Sequence, residues 1–190
     1  MPDPMRPRLL EVEAAATTAP LGHFGAVSTA FESYHAEIYN FLRRSTRDEA
    51  AAEDLLQEAF LRLTREVDAG RTPEHVRAWL YRVASNLAIS RGRRQTTAFA
   101  WMGRYGRQSV GDDIESPEAG VLAQERTSAI DTILATLSTE ARTALLLSAD
   151  GFSGEEIAAA IGRSHGATRT LLTRTRVRVR LELEQHGDVR

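Results

Sequence analysis

The sequence predicts an all-α fold in which a flexible linker joins two small helical domains, the C-terminal one carrying a helix-turn-helix. Apolar residues recur three and four positions apart through most of the chain, which is the spacing of one helix face. Serine, threonine and proline stand where several of these stripes begin, as helix N-termini require. The periodicity fails between Arg93 and Glu115, where three glycines and two consecutive aspartates indicate a linker.

The first domain, residues 23–94, is expected to hold three helices. Stripes of apolar side chains mark the first helix within residues 24–41 and the second within residues 52–63. The third is expected to begin at Thr72 and Pro73, because this pair supplies an N-cap followed by proline at the first helical position.

Two segments outside the stripes bound this domain. Residues 1–22 contain four of the six prolines, and we expect them to form a disordered leader. The third helix is expected to end near Gly92, and residues 95–116 then form the linker. The linker also contains aromatic residues, for which local packing and a binding role both remain open.

The second domain, residues 117–186, begins with a serine, a proline and a glutamate at residues 116–118. A first helix follows, and Ser138 is placed to cap a short second one. Residues 153–156 match a capping box, in which a serine and a glutamate each accept a hydrogen bond from an otherwise unpaired backbone N–H. The helix that they start is expected to end at Gly162, and the last helix to begin at Ser164.

The end of the chain carries a conflicting signal. Residues 175–184 alternate between polar and apolar or β-branched side chains, which is the pattern of a strand. The helical alternative buries a stripe formed by Leu172, Thr175, Val179 and Leu183. The pattern by itself favours a strand, and only the family resemblance given below favours a helix.

Charge is distributed unevenly along the chain, although the formal net charge is only −2. Residues 163–180 contain six arginines and no acid, whereas residues 48–66 contain six acids and two arginines. Such asymmetry is expected of a protein with two different partners.

Several classes of protein are excluded or disfavoured. The chain has no cysteine, so disulfides, thiolate metal sites and cysteine catalysis are excluded. Its five histidines lack metal-site spacing, and no phosphate-binding loop or catalytic set is evident. No apolar run is long enough to cross a bilayer. We therefore expect a cytoplasmic protein that is not an enzyme, with no cofactor, no metal and no membrane association.

Residues 152–180 have the organisation of a DNA-binding helix-turn-helix, whose second helix enters the major groove. The alternative is a solvated helix hairpin with a basic face. Candidate contacts to base edges are Ser164, His165, Thr168, Arg169 and Thr170. Candidate contacts to phosphates are Arg163, Arg174 and Arg176.

The third helix combines arginines with aromatic side chains, as proteins that bind single-stranded DNA do. Trp79 lies on the apolar stripe and is expected to pack in the core, so Tyr81 and Asn86 are the better candidates for contacts to bases. The arginines concerned are Arg77, Arg82, Arg91, Arg93 and Arg94. On the second helix, Asp54, Gln57 and Glu58 share one face, and this motif alone favours an ordinary solvent-facing polar stripe over a binding site.

These motifs together resemble the extracytoplasmic-function (ECF) class of RNA polymerase sigma factors. The stretches AEDLLQEAFLRL (52–63) and VRAWLYRVASNLAISRGRR (76–94) are similar to the promoter-melting domain of that family. The stretch LSTEARTALLLSADGFSGEEIAAAIGRSHGATRTLLTR (137–174) is similar to its C-terminal helix-turn-helix domain. The two blocks occur in the family's order, which makes the resemblance specific.

The resemblance implies roles that spacing alone does not reveal. Asp54, Gln57, Glu58 and Phe60 would lie in the helix that docks on the β′ clamp of core RNA polymerase, which also contacts the factor through its β subunit. Residues 77–94 would recognise and help to open the −10 element, with Asn86 near a captured base. Residues 164–176 would bind the −35 element as duplex, and the linker would pass toward the active-centre cleft. An anti-sigma partner is common in the family, although no residue here identifies one.

The sequence departs from the family pattern in two places. Gly154 stands where a tyrosine or similar side chain is usual, and the recognition helix reads HGATRTLLTR instead of a VGTVKSRLSR-like run. The sequence of the −35 element therefore cannot be inferred. Two other functions remain open, namely a stand-alone helix-turn-helix regulator that binds duplex operators and a helical adaptor with an acidic protein partner.

Overall fold

The computed structural model describes residues 23–105 and 130–187. Within these residues the chain forms seven helices and no strand. The helices are α1 (His23–Thr46), α2 (Glu49–Asp68), α3 (Val76–Tyr105), α4 (130–136), α5 (Thr139–Ala149), α6 (Gly154–Ile161) and α7 (His165–Gly187). The predicted all-α class is thus confirmed, whereas the expected leader and linker residues 106–116 lie outside the described part of the chain.

Helices α1, α2 and α3 form the first domain, as the apolar stripes predict. Ile38, Leu42, Leu63 and Leu80 are almost fully buried and form the centre of its core. The side chain of Asp48 caps α2 by accepting a hydrogen bond from the amide of Ala51 at 2.9 Å. Burial of this apolar surface is the main stabilising contribution to the three-helix unit.

The predicted bounds of the third helix are wrong at both ends. Helix α3 begins at Val76, three residues after Pro73, and continues through Gly92 to Tyr105. Gly92 lies inside the helix, at the point where α3 approaches α5 closely. A Cβ atom at this position would lie 2.5 Å from Oγ1 of Thr139. Glycine inside a helix costs only about 1 kcal/mol relative to alanine, so the helix can continue through it.

Helices α4 to α7 form the second domain. The predicted start of its first helix at residues 116–118 lies outside the described residues, whereas the ends of α5 and α6 and the start of α7 follow the sequence signals closely. Ser138 caps α5, and Ser153 with Glu156 forms the predicted capping box at the start of α6. Gly162 ends α6 in the left-handed conformation, with φ of 68°, which glycine adopts without steric cost. A turn of residues 162–164 then leads into α7 and completes the helix-turn-helix.

The alternating segment 175–184 is entirely helical, so the helical alternative is confirmed. On a helix the alternation produces two apolar stripes on different faces. Leu172 and Thr175 on one stripe are buried and Val179 is half-buried, although Leu183 farther along is 45% exposed. Val177 and Leu181 form the other stripe and are exposed. Packing of the first stripe outweighs the local strand pattern.

The two domains pack against each other and share one core. The ring of Tyr81 on α3 contacts the rings of Phe41 and Phe152, with centroids 4.9 Å and 4.8 Å away. Phe152 belongs to the second domain, directly before α6. The same core also contains Leu147 and Ile161 from the second domain. The structure therefore describes a closed arrangement of the two helical units.

Arg142, on α5, binds the C-terminal ends of α1 and α4 across this interface. Its guanidinium donates hydrogen bonds of 2.8 Å to the carbonyl oxygens of Leu134, Leu137 and, in the first domain, Ser45. The side chain is 6% exposed. Burial, aided by the nearby charge of Arg47, lowers the pKa of Arg142 to about 10, so the guanidinium remains charged at neutral pH.

Replacing Arg142 with methionine should destabilise the protein markedly. Arg142→Met keeps much of the side-chain length but removes the donor to the carbonyl oxygens of Ser45 and Leu137, whereas that of Leu134 keeps a hydrogen bond of 3.3 Å from the amide of Leu137. Each buried carbonyl oxygen left without a partner costs about 1–3 kcal/mol. We expect a loss of about 3 kcal/mol in the free energy of unfolding, measured by urea denaturation. Arg180→Met, at an exposed position on α7, is the control and should change it by less than about 0.5 kcal/mol. Equal effects of the two substitutions would contradict this assignment.

Candidate functional site

The outer face of α2 presents acidic and polar side chains. Asp54 and Gln57 are exposed, and Glu58 is half-buried. The carboxylate of Glu58 accepts a hydrogen bond of 2.7 Å from Nε of Arg62, one turn farther along the helix. This hydrogen bond lowers the pKa of Glu58, so the side chain is ionised at neutral pH.

Leu61 lies on the same outer face and is 52% exposed. It follows Asp54 by seven residues and Gln57 by four, which places the three side chains together. Phe60, in contrast, is buried and packs edge-on against Phe31 with a centroid distance of 5.0 Å. The apolar side chain available on this face is therefore Leu61, whereas Phe60 supports the helix from within.

A second face lies along α3. Arg82, Asn86, Arg93 and Arg94 are exposed there. Trp79 is half-buried and precedes Asn86 by seven residues, so the two side chains share one side of the helix. The indole borders a groove of about 350 Å³ that is also lined by Arg82 and, from the second domain, Phe152.

Tyr81 is buried, contrary to the expectation from the sequence, whereas Trp79 packs against the core as expected, although it is only half-buried. Tyr81 is 2% exposed, because its ring fills the joint between the two domains. Its hydroxyl donates a hydrogen bond of 2.9 Å to Oε1 of Glu37 and lies 3.4 Å from Oδ2 of Asp150. Burial first, and these two carboxylates second, raise the pKa of Tyr81 far above its usual range. In the closed arrangement Tyr81 cannot reach a base.

Two of the candidate arginines on α3 are bound within the protein. Arg77 forms a bidentate ion pair with Glu37 and lies over the ring of Tyr81, 5.1 Å from its centroid. Burial alone would raise the pKa of Glu37, but hydrogen bonds from Arg77 and Tyr81 outweigh it and lower the pKa. Arg91 donates to Oδ2 of Asp48 at 3.1 Å.

The candidate residues of the helix-turn-helix differ in their exposure to solvent. Ser164 is exposed, and its Oγ accepts a hydrogen bond from the amide of Ala167 at 3.3 Å, as an N-cap does. Thr168 is fully buried and donates to the carbonyl oxygen of Ser164, so its role is to anchor α7. His165 is exposed and lies over Gly154, where an added Cβ would be 2.8 Å from Nε2 of the imidazole. The unusual glycine thus makes room for this histidine.

The remaining candidates of α7 face outward. Arg169, Thr170 and Arg174 are exposed. Arg176 is also exposed, but its guanidinium donates to Oγ of Ser148 on α5 at 2.7 Å. Arg163, in the turn, forms a bidentate ion pair with Glu140. The exposed arginines give this face the positive charge that a phosphate backbone attracts.

Sequence reasoning missed two residues that the structure brings to these faces. Leu61 could have been found from its seven-residue spacing to Asp54. Glu140 has no such signal, because its contacts with Arg163 and Arg93 depend on tertiary packing. Among the described residues no cluster of side chains could hold a metal ion, and no helix is long and apolar enough to cross a membrane.

Comparisons with known proteins agree with this arrangement. The family model of Sigma-70 region 2 matches residues 30–97, and that of Sigma-70 region 4 matches residues 127–179. The RNA polymerase sigma-H factor of Pseudomonas aeruginosa is 32% identical over 152 residues, which cover 75% of this chain and 78% of that protein. The ECF RNA polymerase sigma factor SigL of Mycobacterium tuberculosis is 30% identical over 162 residues, which cover 84% and 90% respectively.

A solved structure has the same fold. It contains the sigma factor RpoE in complex with the anti-sigma factor NepR from Bartonella quintana, and it is 22% identical in sequence with a TM-score of 0.61. The match covers 84% of this chain and 97% of that one. The sequence relatives and the two family regions, which occupy the two helical domains in order, establish the family. The chain therefore belongs to the ECF class of RNA polymerase sigma factors.

Proposed function

We propose that the chain acts in the cytoplasm as a non-catalytic subunit that binds core RNA polymerase and directs it to promoters. The observation that carries the proposal is the presence of three chemically distinct surfaces on three helices of one chain. These are the acidic face of α2, the arginine and tryptophan face of α3, and the basic face of α7. An inhibitory partner, of the kind that NepR is for RpoE, belongs to the same proposal.

The face of α2 is the proposed docking surface for the β′ clamp of the polymerase, while the second domain contacts the β subunit. Asp54, Gln57 and Glu58 supply charge and hydrogen-bonding groups, and the exposed Leu61 supplies apolar area. An apolar side chain surrounded by polar groups is the usual composition of an energetically important part of an interface. Phe60 is not part of this docking surface, because its ring is buried.

The face of α3 is the proposed surface for the −10 element. Trp79 offers a stacking surface for an unpaired base, Asn86 can donate and accept hydrogen bonds, and Arg82 and Arg94 can contact phosphates. Stacking contributes about 1–3 kcal/mol per base, which offsets part of the cost of opening the duplex. In the closed arrangement, the proposed role of Arg77, Tyr81 and Arg91 is to support this surface from within.

The helix-turn-helix is proposed to bind the −35 element. The N-terminal part of α7 would enter the major groove, with His165, Arg169 and Thr170 toward the bases and Arg174 toward the backbone. A stand-alone regulator would need only this unit. The match of residues 30–97 to Sigma-70 region 2 and the acidic face of α2 both favour the polymerase subunit over that alternative.

Reversing one charge on α2 tests polymerase docking. Asp54→Arg should weaken association with core polymerase about tenfold or more, because a repulsive charge replaces a favourable one at a surface that excludes water. Run-off transcription from genomic promoter fragments should fall in parallel. Association can be measured by fluorescence anisotropy of the labelled chain.

Glu184→Arg is the matched control, since Glu184 is an exposed residue on α7 far along the chain from α2. It makes the same change of charge and should leave association with the core unchanged. Leu61→Ser should also weaken association, whereas Val177→Ser, at an equally exposed valine, should not. Unchanged association of Asp54→Arg and Leu61→Ser would contradict the docking surface.

Two arginines on α7 are expected to differ in their contribution to binding of duplex DNA. Arg169→Ala should weaken binding to a duplex selected from random sequences by the wild-type chain, and should weaken binding to unselected duplex much less. The expected loss is about 1–3 kcal/mol on the selected duplex, as for an arginine that reads a base edge. Arg180→Ala, more than two turns farther along α7, should weaken binding to the selected and the unselected duplex equally. Equal losses on the two duplexes for Arg169→Ala would contradict base recognition.

A further inference from the structure

Glu140 contacts one arginine from each domain. It is the second residue of α5, and its carboxylate accepts hydrogen bonds from Nε and Nη2 of Arg163, the latter at 3.0 Å. The same carboxylate lies 3.7 Å from Nη2 of Arg93 on α3. The side chain of Glu140 is only 16% exposed, compared with 42% for Arg163 and 67% for Arg93.

This contact depends on the close approach of α3 to the start of α5. Gly92 packs directly against Thr139, and the next residue on each helix is Arg93 and Glu140 respectively. The hydrogen bond from Arg163 is the largest influence on Glu140 and lowers its pKa, so the carboxylate is ionised at neutral pH. Its place in the first turn of α5 also favours a negative charge.

We propose that Glu140 is an intramolecular competitor of DNA phosphate, which holds Arg93 and Arg163 until DNA displaces it. The proposal rests on the proposed function, because that function assigns the surfaces around these arginines to DNA. A carboxylate and a phosphate present the same feature to a guanidinium, namely two oxygens that accept parallel hydrogen bonds. The exchange is feasible because both arginines remain partly exposed.

The two ion pairs are broken by different events. The −10 and −35 elements lie about 25 base pairs apart, which corresponds to about 85 Å along a duplex. Arg93 and Arg163 cannot meet at one carboxylate while their domains occupy both elements, so separation of the domains releases Arg93. Arg163 and Glu140 belong to the same domain and stay together after that separation. Only a competing anion releases Arg163.

The test is the affinity of the full chain for a labelled DNA duplex of random sequence at low salt. Glu140→Gln keeps the shape of the side chain and removes its charge. We expect it to raise the affinity about three- to fivefold, the effect of removing a partly exposed ion pair. The slope of log K against log salt concentration should change by much less than the ~0.9 of one phosphate contact, because Arg163 contacts a phosphate in both complexes.

Two controls separate the release of Arg163 from a general change in charge or fold. Glu155→Gln removes the same charge from an exposed residue at the start of α6 and should raise the affinity by less than about 1.5-fold. In an Arg163→Gln background, Glu140→Gln should raise the affinity clearly less than it does in the wild-type chain, because the cation that Glu140 binds more closely is absent and only Arg93 is left to be released. Circular dichroism spectra should be unchanged in all variants.

Equal affinities of Glu140→Gln and Glu155→Gln would overturn the proposal, as would a full gain in the Arg163→Gln background. These outcomes are distinct from a failure of the proposed function. That failure would appear as a wild-type chain that neither associates with core polymerase nor supports run-off transcription, whatever the effect of Glu140→Gln on duplex binding.

Discussion

The closed arrangement depends on one buried cation, the guanidinium of Arg142. Helix C-termini leave carbonyl oxygens without intrahelical partners, and the interface between the domains buries several of them. Arg142 donates to carbonyl oxygens beside the ends of α1 and α4 from its own position on α5, and no carboxylate among the described residues pairs with it. A guanidinium is suited to this role because its donors point in several directions within one plane. These hydrogen bonds remove a desolvation cost that would otherwise oppose the packing of the two domains.

The charged residues fall into two groups, one inside the interface between the domains and one on the outer faces. Within the joint, Arg77 is paired with the carboxylate of Glu37 and contributes to packing. Arginines on the outer faces, such as Arg82 and Arg169, remain exposed to solvent. Glu140 stands between these groups, since it is largely buried while both of its cations reach the surface. A near-neutral net charge therefore coexists with surfaces suited to an anionic polymer and to a protein partner.

Local signals predicted most of the fold but little of the arrangement between domains. Caps such as Ser138 and Ser153 act within one turn of helix, so the residues themselves specify them. Gly92 misled the prediction because the same residue type serves as a helix stop and as a point of close approach, and only the neighbouring Thr139 distinguishes the two. Tyr81 was assigned to the wrong environment for a related reason. Its burial depends on Phe152, which is distant in sequence. The alternating end of α7 was ambiguous for the same reason, because the helices that it packs on determine which of its two apolar stripes is buried.

The length of α3 controls the geometry of the connection between the domains. Its thirty residues span about 45 Å, and about 20 Å of this rigid rod extends beyond Gly92. An insertion within residues 93–105 would rotate the direction in which the chain leaves α3 by about 100° per residue relative to the contact between Gly92 and Thr139. This part of α3 is therefore sensitive to changes in length.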